Sequence, residues 1–163
     1  MTLEEWAGSL GFLPMTPSVA REIADKWCYP PPYDFYDQTA DPDDYQEFIT
    51  ETDWPTHFWQ VRSQDQLVGF FSAHLDEARC EIALGLHPAL TGTGRGLAFL
   101  QAGLVHLAPL LTPGCEVVLD VAEFNQRAIR VYERAGFKVT RRFNQDTNGA
   151  TFPFLAMTLA PLH

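Results

Sequence analysis

Three alternating glycines, Gly92, Gly94 and Gly96, stand in Thr91-Gly92-Thr93-Gly94-Arg95-Gly96-Leu97, between a strand-like run from Cys80 to Leu86 and an apolar, helix-like run from Leu97 to Leu111. Glycine takes backbone angles that side chains forbid and lets a ligand approach the main chain. A helix that starts just after such a turn offers unpaired N–H groups and the positive end of its dipole. Together these suit a phosphate or pyrophosphate, so the segment predicts a phosphorylated cofactor. The spacing is not the dinucleotide fingerprint, whose last glycine would fall at Leu97, and no Gly-Lys-Ser/Thr follows to make a P-loop. On this segment alone a plain structural turn is the competing reading.

A second constellation follows the strand-like Val117-Val118-Leu119-Asp120-Val121. Asn125 suits a helix N-cap. Ala128, Ile129, Tyr132 and Ala135 recur at helical spacing and share one face. Gly136 is a natural helix stop, after which Phe137 returns the chain to the core. By itself this is an ordinary capped amphipathic helix.

The elements that must position these residues can be read along the chain. Phe12 to Met15 predicts a short first strand, and Thr16-Pro17-Ser18 leads into a helix from Val19 to Trp27. Cys28 to Ala40 is a loop rich in proline and aromatic residues, and Asp41-Pro42-Asp43-Asp44 opens a second helix to about Glu51. Phe58 to Arg62 and Leu67 to Leu75 predict a hairpin, with Arg79 to Leu86 as the next strand. Phe137 to Phe143 and Thr151 to Leu159 predict a closing antiparallel pair around Asp146-Thr147-Asn148-Gly149. Gly85, inside a strand, marks a bulge. This order suits a mixed α/β sheet. No linker or repeat divides the chain, so residues 1–163 read as one domain.

Composition narrows the classes further. An apolar fraction of 46% with 20% charged residues is that of a globular protein. The longest apolar run, Leu97 to Leu111, is broken by Gln101, His106 and Pro109, which argues against a membrane span. The acidic start, Met1-Thr2-Leu3-Glu4-Glu5, lacks the basic region of a signal peptide, and the chain reads as cytoplasmic. Cys28, Cys80 and Cys115 are odd in number and widely spaced, so they predict buried or half-buried thiols rather than disulfides or zinc ligands. The histidines, His57, His74, His87, His106 and His163, form no ligand-like pairs, so no metal is expected. A net charge of −10 repels nucleic acid and anionic membranes and would attract a cationic partner such as an amine, with a surface that merely keeps the chain in solution as the competing reading. An anionic cofactor would then need a local positive patch, for which Arg95, Arg127, Arg130 and Arg134 are candidates.

In this order, the two constellations resemble the GNAT superfamily of N-acetyltransferases. The loop is similar to that family's Gln/Arg-x-x-Gly-x-Gly/Ala, with Thr91 in place of Gln or Arg, and the helix resembles its Asn…Ala-Ile…Tyr-Glu-x-x-Gly-Phe motif; together they span Ile82 to Phe137. The resemblance implies a GNAT-like fold in which two parallel strands splay apart around the pantetheine arm of acetyl-CoA. It implies transfer of an acetyl group to a primary amine in a ternary complex. Leu84 and Leu86 would hold the pantetheine through the main chain. The loop amides of Gly92, Thr93, Gly94, Arg95, Gly96 and Leu97 would hold the pyrophosphate, and Asn125 would bind the cofactor arm. Tyr132 matches the family's general acid; a phenol of pKa about 10 is not far from balanced against a departing thiol of about 8.5. Glu81 stands where many members carry a catalytic base, with Asp120 as another carboxylate and a base-free reaction as a further route. The aromatic loop would line the acceptor site through Trp27, Tyr29, Tyr33 and Tyr36, with Asp34 or Asp37 drawing a cation. Members of the family often form homodimers. The other class is a GNAT-fold module that binds acyl-CoA without turnover.

Overall fold

Apolar alternation sets the sheet. In the fifth strand Val117, Leu119 and Val121 are buried on one face, and the same face carries Cys80 and Ile82 of the strand beside it. A computed structural model describes residues 1–161, which leaves His163 outside the described residues. It contains one seven-stranded mixed sheet in the order β1-β2-β3-β4-β5-β7-β6.

The chain opens with α1 (Leu3–Gly8), then β1 (Leu10–Pro14) and α2 (Pro17–Lys26). Two short 3-10 turns, Tyr33–Tyr36 and Gln38–Ala40, lead to α3 (Pro42–Ile49). The strands β2 (His57–Ser63), β3 (Gln66–Leu75) and β4 (Arg79–Leu86) then run as an antiparallel meander. Next come α4 (Gly96–Leu107), β5 (Glu116–Ala122), α5 (Gln126–Arg134), β6 (Lys138–Thr147) and β7 (Ala150–Leu159). Among the described residues, only β4 and β5 pair in parallel.

Most expected elements are present to within a few residues, and Arg79–Leu86 agrees at both ends. The sequence reading missed α1. Its signal was Thr2 followed by Glu5: the Thr2 hydroxyl accepts from the Glu5 N–H at 3.0 Å and the Glu5 carboxylate accepts from the Thr2 N–H at 3.2 Å. This is a capping box, and it seats Trp6 in the core. Gly85 is not a bulge, because the β3–β4 register runs unbroken from Gly69↔Leu86 to Leu75↔Cys80. A side chain there would meet the Phe70 ring at 2.4 Å, so glycine is required by close approach. The register shifts lie instead at Val61/Arg62 and Val139/Arg141. Cys80 and Cys115 are buried as expected, whereas Cys28 is exposed because the chain leaves the core right after the buried Trp27.

The sheet separates two apolar layers. Phe99, Leu100 and Leu107 of α4 and Ile129 of α5 pack on the face that carries Cys80, Ile82, Leu119 and Val121. Ile23 and Trp27 of the α2 region pack on the opposite face against Phe58 and Phe70, with Phe48 and Trp54. No helix among the described residues is long and apolar enough to cross a membrane.

Candidate active site

The β4–β5 pairing is short. It consists of Arg79↔Glu116, Cys80↔Val117 and Glu81↔Val118, after which no further pair joins the two strands. Beyond that point Ala83, Leu84 and Gly85 on one side, and Leu119, Asp120 and Val121 on the other, line a cavity of about 630 Å³. The lining combines residues of both sheet faces: Ile82, Leu84 and Phe99 from the α4/α5 side, and Ser72, Ala83 and Phe70 from the α2 side. The cavity therefore passes through the sheet where the two parallel strands part.

At its α4 end the main chain dominates. Gly92 and Gly94 have φ of 73° and 83°, in the left-handed region where glycine is strain-free. A side chain added at Gly94 would meet nothing within 4 Å, so its requirement is conformational rather than steric. No side chain caps the first amides of α4, which leaves that end's N–H groups and dipole facing the loop. Thr91, Gly92, Gly94, Gly96 and Leu97 all line the cavity.

Two loop side chains turn elsewhere. The Thr93 hydroxyl donates to the Leu90 carbonyl, and the Arg95 guanidinium lies 5.5 Å over the Trp6 ring with its Nε buried and unpartnered among the described residues. Neither Thr93 nor Arg95 lines the cavity, so only their backbone is available to the loop. Thr91, in the position that departs from the family pattern, spends its hydroxyl on the Pro88 carbonyl at 2.8 Å. The positive charge beside the loop comes instead from α5. The Arg127 guanidinium stacks 4.0 Å over the Tyr33 ring, and its Nη1 lies 3.5 Å from where a Gly92 Cβ would stand. Arg134 lines the same cavity, whereas Arg130 does not and bonds the Gln126 carbonyl of its own helix at 3.3 Å. An anionic cofactor thus meets glycine amides, an uncapped helix start and Arg127 in one place, and the residues present fit such a group.

Tyr132 reaches the cavity from α5, and burial pushes its phenol pKa up, with a smaller push from nearby Tyr36. Asn125 caps α5, its Oδ1 accepting from the Ala128 N–H at 3.2 Å, and it is buried at the cavity wall.

The opposite end is a wrap formed by residues 27–55. Trp27, Tyr29, Tyr33 and Tyr36 all line the cavity, but the three tyrosines are not a free aromatic wall. The Tyr29 hydroxyl donates to the Leu86 carbonyl at 2.7 Å. The Tyr36 hydroxyl accepts from the Ala122 N–H at 3.2 Å. One phenol is thus tied to the end of β4 and the other to the end of β5, and together they strap the two lips of the gap. Leu86, expected to offer its main chain to the pantetheine, has its carbonyl occupied by Tyr29. Burial raises both phenols above their ordinary pKa, which keeps these hydroxyls protonated.

The carboxylates also differ from expectation. Neither Asp34 nor Asp37 lines the cavity, and Asp37 accepts from the Tyr29 N–H at 2.9 Å. The carboxylates that do line it are Asp44, Glu47 and Asp53 on α3 and the turn after it, and Asp120 on β5. Burial, reinforced by the charges of Asp41, Glu47 and Asp43, raises the Asp44 pKa. The sequence offered Asp44 only as a helix-start acid and gave no signal for Glu47 or Asp53; their common wall arises from the packing of α3 and the turn after it over the cavity. Glu81 and Asp120 are both exposed, but Glu81 lies on the last paired step before the gap and is outside the lining. Among the described residues no group of three histidine, cysteine or acidic side chains could hold a metal ion.

The sequence pattern of the acetyltransferase (GNAT) family matches residues 21–137, and this chain belongs to that family. Among curated proteins it is 35% identical over 98 residues to the peptidyl-lysine N-acetyltransferase YjaB of Escherichia coli, covering 58% of each chain. It is 39% identical over 56 residues to a mycothiol acetyltransferase of Propionibacterium freudenreichii, covering 34% of this chain and 17% of that one. The chain thus matches less than two thirds of the length of these relatives. Among solved structures, an aminoglycoside N(6')acetyltransferase of Legionella pneumophila superposes with a TM-score of 0.73 at 15% identity over 93% of this chain and 92% of its own. The spermidine/spermine N-acetyltransferase SpeG of Vibrio cholerae gives 0.67 at 19% identity over 95% and 94%. At such identities the superpositions establish the fold.

Proposed function

We propose that this chain moves an acetyl group from acetyl-CoA to a primary amine, both bound at once in the cavity that crosses the sheet. The observation that carries this reading is the polarity of that one cavity. Its α4 end offers glycine amides and Arg127 to a diphosphate, and its α3 end offers Asp44, Glu47 and Asp53 to a cation. The bound thioester supplies an activated acyl carbon. What the protein adds is alignment of two reactants through a gap between strands, where much of the rate gain of such a reaction arises.

The main chain of Leu84 guides the pantetheine along β4, and the amides from Gly92 to Leu97 hold the pyrophosphate beside Arg127. Tyr132 is protonated at neutral pH, as an ordinary phenol is, and it lines the cavity where the sulfur departs; burial raises its pKa and widens the gap to the thiol, so its contribution as proton donor rests on position rather than on acid strength. Trp27 and Trp54 give the acceptor apolar walls, and the α3 carboxylates favour its ammonium form. The acceptors named for the relatives, a peptidyl lysine, a polyamine and an aminoglycoside, are all amines.

Thiol release from acetyl-CoA, followed against a panel of monoamines, polyamines, aminoglycosides and lysine peptides, tests the reading. Release that depends on one acceptor class is expected. Acetyl-CoA binding without release for any amine points to a non-catalytic acyl-CoA module, and no binding at all refutes the cofactor site.

A further inference from the structure

Resting on that reading, we infer that Asp120 is the group that receives the acceptor's ammonium proton, in place of the Glu81 expected from the family resemblance. Position carries the argument. Glu81 pairs with Val118, so β4 and β5 are still joined there and no acceptor can pass between them. Asp120 lies two residues further along β5, past the last pair, where the strands have parted. It lines the cavity and Glu81 does not.

Its direction fits as well. Val117, Leu119 and Val121 point into the α4/α5 layer, so by strand alternation Asp120 points to the α2/α3 side. That is the side of Asp44, Glu47 and Asp53, where a cationic acceptor waits. Tyr132, from α5, meets the cavity from the other side of the sheet. A base and an acid on opposite faces, with the gap between them, are what in-line transfer through the sheet requires: the amine enters from one face and the thiol leaves by the other.

Asp120 is also unspent. Among the described residues it has no ion pair within 4.0 Å and no hydrogen-bonded side-chain partner. Desolvation raises its pKa, against the pull of Arg141 on β6 and Arg79 on β4. Glu81 and Glu116 lie on the same sheet face, and Asp44, Glu47 and Tyr36 face the cavity from the wrap. A carboxylate moved toward neutrality is a better proton acceptor than an ordinary one.

Asp120 takes one proton from the ammonium, and the freed amine nitrogen forms a bond to the thioester carbonyl carbon. The carbon–sulfur bond breaks, and its electron pair leaves on sulfur. Tyr132 gives that sulfur its proton and regains one, through water, from the newly bonded nitrogen. Asp120 then releases its proton to solvent. One amide, one thiol and one proton result.

Two measurements test the assignment. In the first, carboxyl carbon resonances of the free protein are followed while propylammonium is added. The Asp120 signal is expected to move and the Glu81 signal to stay; movement of Glu81 alone, or of neither, overturns the proposal whether or not the protein transfers acetyl groups. The second compares Asp120→Asn, Asp120→Glu and Glu81→Gln in the thiol-release reaction. Asp120→Asn is expected to lower kcat/KM by about a hundredfold or more and to remove the acidic limb of its pH profile. Its acetyl-CoA affinity should be kept, and Asp120→Glu should restore part of the rate. Glu81→Gln should stay within about threefold of the parent, as for a side chain outside the cavity lining. Wild-type inactivity with every amine would count against acetyl transfer itself, and the propylammonium titration would still decide the fate of Asp120. An Asp120→Asn protein of parental rate overturns the proposal outright.

Discussion

The two ends of the cavity are built from different materials. At the α4 end the functional groups are backbone amides, fixed by φ of 73° and 83° at Gly92 and Gly94 and by the start of one helix. At the α3 end they are side chains brought from afar. Tyr29 reaches Leu86 across 57 residues of sequence, and Tyr36 reaches Ala122 across 86. A site made of main chain is written in adjacent residues and tolerates changes in neighbouring side chains: Thr91 spends its hydroxyl on Pro88, and Thr93 and Arg95 face away, yet the cradle stands. A site made of side chains depends on the whole wrap folding over the sheet. On the proposed reading, this lets one end hold the cofactor while the other end is free to differ in acceptor.

The largest test strikes where the two ends meet. Tyr132→Phe removes the donor to the departing sulfur and should lower turnover by roughly 10²–10⁴-fold. Acetyl-CoA affinity, read by calorimetry, should stay at the parental value, since among the described residues the phenol makes no hydrogen bond to the loop amides. A rate within a few fold of the parent would mean that the thiolate leaves unaided, and the contrast between a binding end and a reacting centre would collapse.

A smaller effect is expected from Gly94→Val. Left-handed backbone costs an L-residue about 1–2 kcal/mol, so the loop should relax out of its cradle and weaken acetyl-CoA binding by roughly tenfold. Because nothing lies within 4 Å of the added Cβ, no clash contributes and the effect isolates backbone conformation. An unchanged Kd would show that side chains such as Arg127, rather than amides, hold the cofactor.

The smallest effect sharpens the acceptor end. The raised pKa of Asp44 means that the folded protein binds its proton more tightly than the unfolded chain. Its contribution to stability is therefore full at pH below the ordinary carboxylate value and is lost as pH rises through the folded pKa. Asp44→Asn should raise the melting temperature slightly at neutral pH and flatten that slope. The same change should raise KM for a cationic acceptor by roughly threefold, the scale of one exposed charge pair. A parental KM would place the ammonium elsewhere in the wrap.

The sequence was most legible where function and local structure coincide. The Gly92–Gly96 turn, the Asn125 cap and the strand that ends at Leu86 were all visible because glycine conformation, helix capping and strand alternation act over a few residues. Thr2 and Glu5 carried an equally local signal for α1 that went unread. Gly85 misled because glycine in a strand serves both bulges and close approach, and only the position of the Phe70 ring tells which. The wrap was legible as composition, rich in tyrosine and proline, but not as geometry. Nothing in Tyr29 or Tyr36 indicates that each phenol is tied to a different lip of the gap.

The amino-acid sequence by itself determined the order of elements, the glycine turn at the start of α4 and the capped helix that bears Tyr132, because each follows from periodicity and backbone preference within one segment. Only the tertiary structure decided where β4 and β5 part. That choice leaves Glu81 on the paired side and puts Asp120 in the opening, and it brings Asp44, Glu47 and Asp53 to the cavity. The physical reason is that strand pairing and side-chain burial depend on partners far apart in the chain, and a carboxylate's chemistry depends on which of those partners surround it.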